Sequence, residues 1–167
     1  MRHFLLIPHL KIHNANAMSS PYTIGFPAMT AWLGAVHALQ RKLKQQGCDL
    51  NLNKVAVSCH DFNLQTYKGR GDFVHSIVGT ANPLDKDGNR PAFIEEARCH
   101  LEVSLLIEIE SSSKRQRDQL LDLVNGIVAS MKFTSGDVLS AKPCTILNFD
   151  DDEDQSQQLR PILNKLM

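Results

Sequence analysis

The segment that ends at residue 110 constrains the fold more than any other part of the sequence, because its apolar and polar residues alternate. Its apolar set is Leu101, Val103, Leu105, Ile107 and Ile109, and its polar set is Glu102, Ser104, Glu108 and Glu110. Successive side chains of a β-strand point to opposite sides of the sheet. The alternation therefore predicts a half-buried strand over about 93–110, with one apolar and one polar side.

Hydrophobic patterns predict two helices and further strands around this one. Strands are expected at 3–12, 54–66 and 144–149, and Phe73 to Thr80 could form a short extra strand. Helices are expected at about 29–46 and 114–131, where apolar residues follow the i, i+3, i+4 spacing. The first helical stripe is Trp32, Val36, Leu39 and Leu43, and the second is Leu120, Val124, Ile127, Val128 and Met131. Gly47 supplies a C-terminal stop for the first helix.

This order of elements, β-α-β-(β)-β-α-β, predicts the fold class. We expect an α+β protein with a ferredoxin-like, RNA-recognition-motif-like antiparallel sheet that carries two helices on one face. Residues 1–149 are assigned to this domain, and the Gly-, Asn- and Asp-rich segment 67–91 is assigned to an insertion with a strong turn signal at 85–90. Residues 150–167 are an acidic tail with room for a short helix.

Charge and composition narrow the class of protein. The 167 residues are 43% hydrophobic and carry 18 basic and 18 acidic side chains, which is typical of a globular domain. The acidic run at 150–154 hides a basic first half, since residues 1–91 carry ten Lys+Arg and five Asp+Glu. A basic half is compatible with an anionic partner. No apolar run approaches the length of a membrane span and the N-terminus lacks a signal-peptide pattern, so we expect no membrane partner and a cytoplasmic location.

The cysteines do not indicate a metal site. They lie at 48, 59, 99 and 144 and form no C-x-x-C pair. The neighbours Cys59-His60 and Cys99-His100 would point to opposite sides of a strand. We therefore expect no metal and no cofactor, and we interpret the cysteines as reduced thiols packed like small hydrophobic residues.

Catalytic patterns are weak. Seven histidines are scattered through the chain, and His13 with His37 or Lys11 could act as an acid–base pair in metal-free RNA cleavage. No spacing singles out such a pair, and no phosphate-binding glycine loop is found. We expect a protein that is not an enzyme.

The segment 13–27 is the most informative candidate site. We interpret it as a long loop, and loops of this length in compact domains are often functional. Its polar groups on Asn14, Asn16, Ser19 and Ser20 could bind bases, phosphates or 2′-hydroxyls, and Phe26 could stack on a base. His37 and Arg41 follow one turn apart on the next helix. The alternative is a structural loop whose Asn side chains stabilise its own turns.

Several ordered motifs resemble one known family. They are the runs 10–17, 19–21, 25–27 and 36–41, followed by 82–88 (Asn82 to Gly88) and 95–106 (Glu95 to Leu106). Together they resemble the second Csy subunit of the type I-F CRISPR surveillance complex, the Cas-five-type subunit of that Cascade. The resemblance is clear over about 5–107 and weaker to 149.

The resemblance implies a non-catalytic subunit that binds the 5′ handle of the CRISPR RNA (crRNA). It also implies pairing with the large subunit, contact with the backbone subunit, and a thumb-like insertion at 67–91. Its motifs carry the predicted RNA-binding set: Asn14, Asn16, Ser19, Ser20, Phe26, His37, Arg41, Arg98 and His100.

Members of this family are usually longer than 167 residues. A fragment, an incompletely resolved chain and a naturally short homologue therefore all remain open, and a short homologue could act as a decoy that inhibits assembly. A further alternative is a crRNA-processing endoribonuclease, since some Cas-five-type proteins cleave RNA.

Overall fold

A six-stranded antiparallel sheet lies at the centre of the computed structural model, which describes residues 2–79, 84–89, 96–110 and 114–149, with only the backbone for 114–118. The elements in chain order are β1 (Arg2–Asn16), β2 (Met18–Ser20), β3 (Thr23–Ile24), α1 (Met29–Gln45), β4 (Asn51–Leu64), β5 (Thr66–Tyr67), β6 (Ser76–Ile77), β7 (Arg98–Glu110), α2 (Lys114–Val128), β8 (Lys132–Phe133), β9 (Gly136–Ser140) and β10 (Thr145–Phe149).

The sheet has the order β4-β7-β1-β9-β8, and β10 pairs with the first part of β1. Strand β1 thus has β7 along one edge, while its other edge pairs with β10 over 2–6 and with β9 over 11–13. All these pairings are antiparallel. The predicted α+β class with an antiparallel sheet and two helices is confirmed.

One apolar core lies between the helices and one side of the sheet. The α1 residues Trp32, Val36, Leu39 and Leu43 are buried there, as are Leu120, Val124 and Val128 of α2. The predicted apolar side of β7, from Leu101 to Ile109, is buried in the same cluster. Both helices therefore pack on the same side of the sheet, with their apolar stripes toward it.

Helix α1 ends as its sequence predicts. Gly47 has φ +80°, a left-handed conformation that glycine adopts without strain. Its N–H donates to the Lys44 carbonyl and the Cys48 N–H donates to the Leu43 carbonyl, both at 3.0 Å. These two bonds form a Schellman motif, in which a left-handed residue satisfies the last carbonyls of the helix.

The long loop predicted over 13–27 is wrong over most of its length. Strand β1 continues to Asn16, because Ala15 pairs with Cys99 and Asn16 with Arg98 on β7. Residues 18–24 then form the β2–β3 hairpin. The polar Asn and Ser residues hide this pairing in the sequence, since only buried Ala15 and Ala17 face the core.

The β8–β9 hairpin was also missed. Its turn residues Thr134 and Ser135 have φ +49° and +67°. Type I′ hairpin turns need positive φ at both positions and normally use Asn-Gly or Asp-Gly. A Thr-Ser pair gives no such signal, so the sequence does not predict this hairpin.

The segment 67–91 is described in part. Strands β5 and β6 pair with each other, so the short strand expected over 73–80 is limited to Ser76–Ile77. The turn predicted at 85–90 is confirmed over its described residues, where Asp85 Oδ1 accepts bonds from the N–H groups of Asp87 (2.9 Å) and Asn89 (2.8 Å). The acidic run and the remainder of the 150–167 tail lie outside the described residues. Neither described helix is long and apolar enough to cross a membrane.

Three of the four free thiols are packed as predicted. Cys48, Cys99 and Cys144 are buried, and burial raises the pKa of both Cys99 and Cys144 to about 11. The prediction is wrong for Cys59, which is exposed. Cys59 lies on β4, the strand at the sheet edge, where the pairing with β7 shifts register.

Candidate nucleic-acid interface

The side of the sheet that faces away from the helices is polar. Leu101, Val103 and Leu105 point into the core, so the alternating residues His100, Glu102 and Ser104 must lie on the opposite side. No described helix packs on that side with these residues, and the sheet there presents imidazole, carboxylate and hydroxyl groups. We call it the helix-free face.

Two β-bulges shape this face. The pairing of β1 with β7 shifts register between Ile7 and Leu10, and again between Ile12 and Ala15. A residue with left-handed backbone lies in each shift: His9 with φ +49° and Asn14 with φ +56°. Bulges bend a strand and redirect its side chains, and they are common next to functional sites.

The second bulge builds a polar group that we call the strand-end cluster: His13, Asn14, Gln65, Arg98 and His100. The Asn14 N–H donates to His100 Nδ1 at 3.3 Å, and Gln65 Nε2 donates to Asn14 Oδ1 at 2.5 Å. Arg98 Nη1 donates to the Asn14 carbonyl at 3.2 Å. The His13 and His100 rings stack with centroids 4.4 Å apart.

The strand-end cluster therefore brings together three of the predicted RNA-binding residues: Asn14, Arg98 and His100. The guanidinium of Arg98 also pairs with the carboxylate of Glu96. This pairing leaves part of its charge neutralised. The amide and imidazole groups of the cluster are suited to the edges of unpaired bases, which RNA-binding proteins read by hydrogen bonding and stacking.

Asn16, Ser19 and Ser20 use their side chains within their own hairpin. Asn16 Oδ1 accepts from the Met18 N–H at 2.9 Å, and Ser20 Oγ donates to Thr23 Oγ1 at 3.0 Å. Ser19 Oγ donates to the Thr23 carbonyl at 3.4 Å. Both serines remain exposed. These contacts match the structural alternative, and a role in RNA contact stays a prediction.

The remaining predicted residues lie apart from the strand-end cluster. Phe26 is half-buried and its ring stacks on Trp32 with centroids 5.8 Å apart, at the edge of the core. His37 and Arg41 are exposed on α1. Because α1 packs on the core side of the sheet, these two residues and His100 lie on opposite sides of it.

Sequence reasoning missed Gln65 as a site residue. It lies between β4 and β5, and its amide bridges Asn14 and His100. No motif marks it, because only the pairing of β4 with β7 brings 65 beside 14 and 100. Among the described residues, no group of three or more His, Cys, Asp or Glu side chains could hold a metal ion.

The comparisons with known proteins decide the family. The family model of the CRISPR-associated protein Csy2 matches residues 5–167. This chain belongs to the Csy2 family. The resemblance read from the motifs is thereby confirmed.

A curated relative agrees with the family match. The CRISPR-associated protein Csy2 of Pseudomonas aeruginosa (strain UCBPP-PA14) is 39% identical over 137 residues, which cover 81% of this chain. The aligned region covers 42% of the length of that relative. The chain thus matches less than half of a longer Csy2 protein.

Proposed function

We propose that this chain is a non-catalytic subunit of a type I-F CRISPR surveillance complex (Cascade) that binds the 5′ handle of the crRNA. In this proposal it pairs with the large subunit and contacts the backbone subunit. The match to the Csy2 family over residues 5–167 carries the proposal. The chain aligns with 42% of its curated relative, so the partners are proposed for this chain on family membership.

The fold supports an RNA-binding role. We propose a ferredoxin-like, RNA-recognition-like domain, because four of its strands follow the spatial order β4-β7-β1-β10 with both helices on one side. Domains of this type bind single-stranded RNA on the helix-free face of the sheet, where rings stack on bases. Here the stacked imidazoles of His13 and His100 occupy that face.

We assign the handle contact to the strand-end cluster and the hairpin beside it. Asn14 and Gln65 supply amides, His100 supplies an imidazole, and Ser19 and Ser20 supply exposed hydroxyls. The insertion 67–91 is proposed to reach a neighbouring subunit. His37 and Arg41 would meet RNA or a subunit from the outer side of α1.

The absence of catalysis is part of the proposal. His13 lies on the helix-free face and His37 on the outer side of α1, so the sheet separates these two imidazoles, and Lys11, the other candidate partner of His13, is paired with Glu102. We expect the purified chain to leave precursor crRNA intact with or without divalent metal. Specific cleavage that disappears in His13→Ala or His37→Ala would show an endoribonuclease instead.

The test of handle binding is reconstitution with the large subunit and crRNA. Gln65→Ala and the double variant Asn14→Ala/Asn16→Ala should weaken handle loading, since each hydrogen bond to RNA that the complex buries costs about 1–3 kcal/mol when it is lost. Gln45→Ala, an exposed glutamine at the end of α1, is the matched control and should load normally.

Thermal melting of the free variants separates binding from folding. Variants that melt early and still load the handle normally would make the strand-end cluster purely structural. A wild-type chain that blocks loading of a complete complex, rather than joining it, would favour the decoy.

A further inference from the structure

A second group of ionisable side chains lies over the middle of β7 on the helix-free face. His9 lies in the first bulge of β1, and His60 lies in a register shift of β4 between Cys59 and Asp61. The two rings stack with centroids 4.5 Å apart and planes 13° from parallel. We call this group the central cluster; its members are His9, Lys11, His60, Glu102, Ser104 and Lys142.

Ser104 contacts the ring of His60 and anchors the backbone of His9. It is only 1% exposed, and its Oγ accepts a bond from the backbone N–H of His9 at 3.1 Å. The same oxygen lies 2.7 Å from His60 Nε2. If the hydroxyl donates to Nε2, a neutral His60 carries its proton on Nδ1, at the side of the ring away from Ser104.

The carboxylate of Glu102 already has partners within the chain. Its Oε1 lies 2.7 Å from His9 Nδ1, and its Oε2 lies 3.5 Å from Lys11 Nζ. The hydrogen bond from His9 holds the pKa of Glu102 below its usual value, and the charge of Lys11 adds to this. Both carboxylate oxygens therefore have partners, and the carboxylate positions His9 and Lys11.

Two lysines flank the rings. Lys142 is exposed, its backbone N–H donates to the Pro8 carbonyl at 3.1 Å, and its charge acts on the imidazole of His60. Lys11 is 55% exposed despite its contact with Glu102. The cluster therefore offers two ammonium groups and the imidazole of His60 on the helix-free face.

The remaining charges near His60 are few. Asp61 follows it on β4, and farther along the same face Lys54 pairs with Glu108 at 2.8 Å. Burial lowers the pKa of His60, and His9 and Lys142 lower it further while Glu102 opposes them. In the free protein at neutral pH, His60 is therefore uncharged.

We propose that the central cluster binds a phosphate group of the RNA backbone through Lys11, Lys142 and His60. This inference rests on the proposed function, since it extends the handle site along the sheet. Glu102 lies two residues from His100 on β7, which places the two clusters about 7 Å apart along the strand. One RNA strand can therefore contact the strand-end cluster with its bases and the central cluster with a phosphate.

A bound phosphate would make RNA affinity depend on pH. The anion stabilises the imidazolium, so the pKa of His60 rises on binding and the complex takes up a proton. Affinity should therefore increase as pH falls from about 7.5 to about 6, at most about tenfold per pH unit for one proton.

The experiment is a titration of the full chain with a short fluorescein-labelled oligouridylate at low salt, at both pH values. We expect binding to the wild type to tighten about three- to tenfold on acidification. His60→Gln should lose this change, and Lys142→Ala should weaken binding and reduce the log–log salt slope by about 0.7. Lys42→Ala, an exposed lysine on α1, is the matched control and should behave as wild type.

The outcomes separate the two proposals. Wild-type affinity and pH response in both His60→Gln and Lys142→Ala would overturn the phosphate site, while handle loading by the reconstituted complex still decides the proposed function. Arg98→Ala, in the strand-end cluster, should weaken binding and keep the pH response. Inorganic phosphate that shifts the His60 ring resonances at lower concentrations than the oligouridylate would show a free-anion site and would overturn the RNA assignment.

Discussion

At the scale of single residues, Trp32 stabilises the core although one of its polar groups has no hydrogen-bond partner among the described residues. Its side chain is fully buried and stacks on Phe26. Its Nε1–H has no hydrogen-bond partner among the described residues. A buried donor without a partner costs about 1–3 kcal/mol, so the ring stabilises the core through its apolar area alone.

This predicts a large difference between two substitutions of Trp32. Trp32→Ala should reduce the free energy of unfolding by about 3–5 kcal/mol, because it leaves a cavity. Trp32→Phe should cost clearly less, because it keeps an aromatic ring and removes the unpartnered donor. Urea unfolding followed by circular dichroism measures both. Equal losses for the two variants would contradict this account.

At the scale of elements, the β8–β9 hairpin depends on the absence of one side chain. A Cβ atom at Gly136 would lie 2.5 Å from Ile12 Cγ2, 2.7 Å from the His13 carbonyl oxygen and 2.8 Å from the Ala15 nitrogen. Two of these atoms belong to the β1 backbone, which cannot move without breaking its pairing with β7. Gly136 therefore lets the hairpin approach β1 at its second bulge.

The matched pair Gly136→Ala and Gly34→Ala tests this approach. Gly136→Ala should destabilise the fold by more than about 1 kcal/mol, in the range of overpacked cores. Gly34 lies within α1, where a Cβ would meet no atom within 4 Å. Gly34→Ala should therefore stabilise the chain by about 0.5–1 kcal/mol through helix propensity. Thermal melting of the two variants in opposite directions is the expected result.

At the scale of the whole molecule, the two sides of the sheet respond differently to pH. The core side holds apolar residues and buried thiols, whereas the helix-free face holds histidines and carboxylates. His60 and Glu102 both have lowered pKa values in the folded chain. On acidification, both groups take up a proton at a higher pH in the unfolded chain than in the folded chain. Acid therefore favours unfolding.

We therefore predict that stability falls on acidification in two steps. In the unfolded chain His60 is half protonated at its ordinary pKa of about 6.5 and Glu102 at its ordinary pKa of about 4.5, so stability should fall as the pH decreases through each value. His60→Gln should flatten the first step and Glu102→Gln the second. Urea midpoints across this pH range measure both. Wild-type steps in both variants would assign the acid sensitivity to other groups.

Some features followed from local chemistry and were predictable. The α1 stripe and its glycine stop, the alternation of β7 and the turn at Asp85 each depend on residues close in sequence. Their structure follows from side-chain period or from one turn residue, which the sequence displays directly. The family was also predictable, because several of its motifs occur along the chain in the same order.

The arrangement of the helix-free face did not follow from the sequence. The bulges at His9 and Asn14, the bridging amide of Gln65 and the stacked imidazole pairs join residues far apart in the chain. A bulge shifts the alternation of side chains by one residue, so the residues after it face the opposite side of the sheet. Only the pairing of β1, β4 and β7 fixes where the bulges occur. The amino-acid order thus settled the two helices and the strands with a clear apolar pattern, whereas strand pairing decided the hairpins and which polar groups meet.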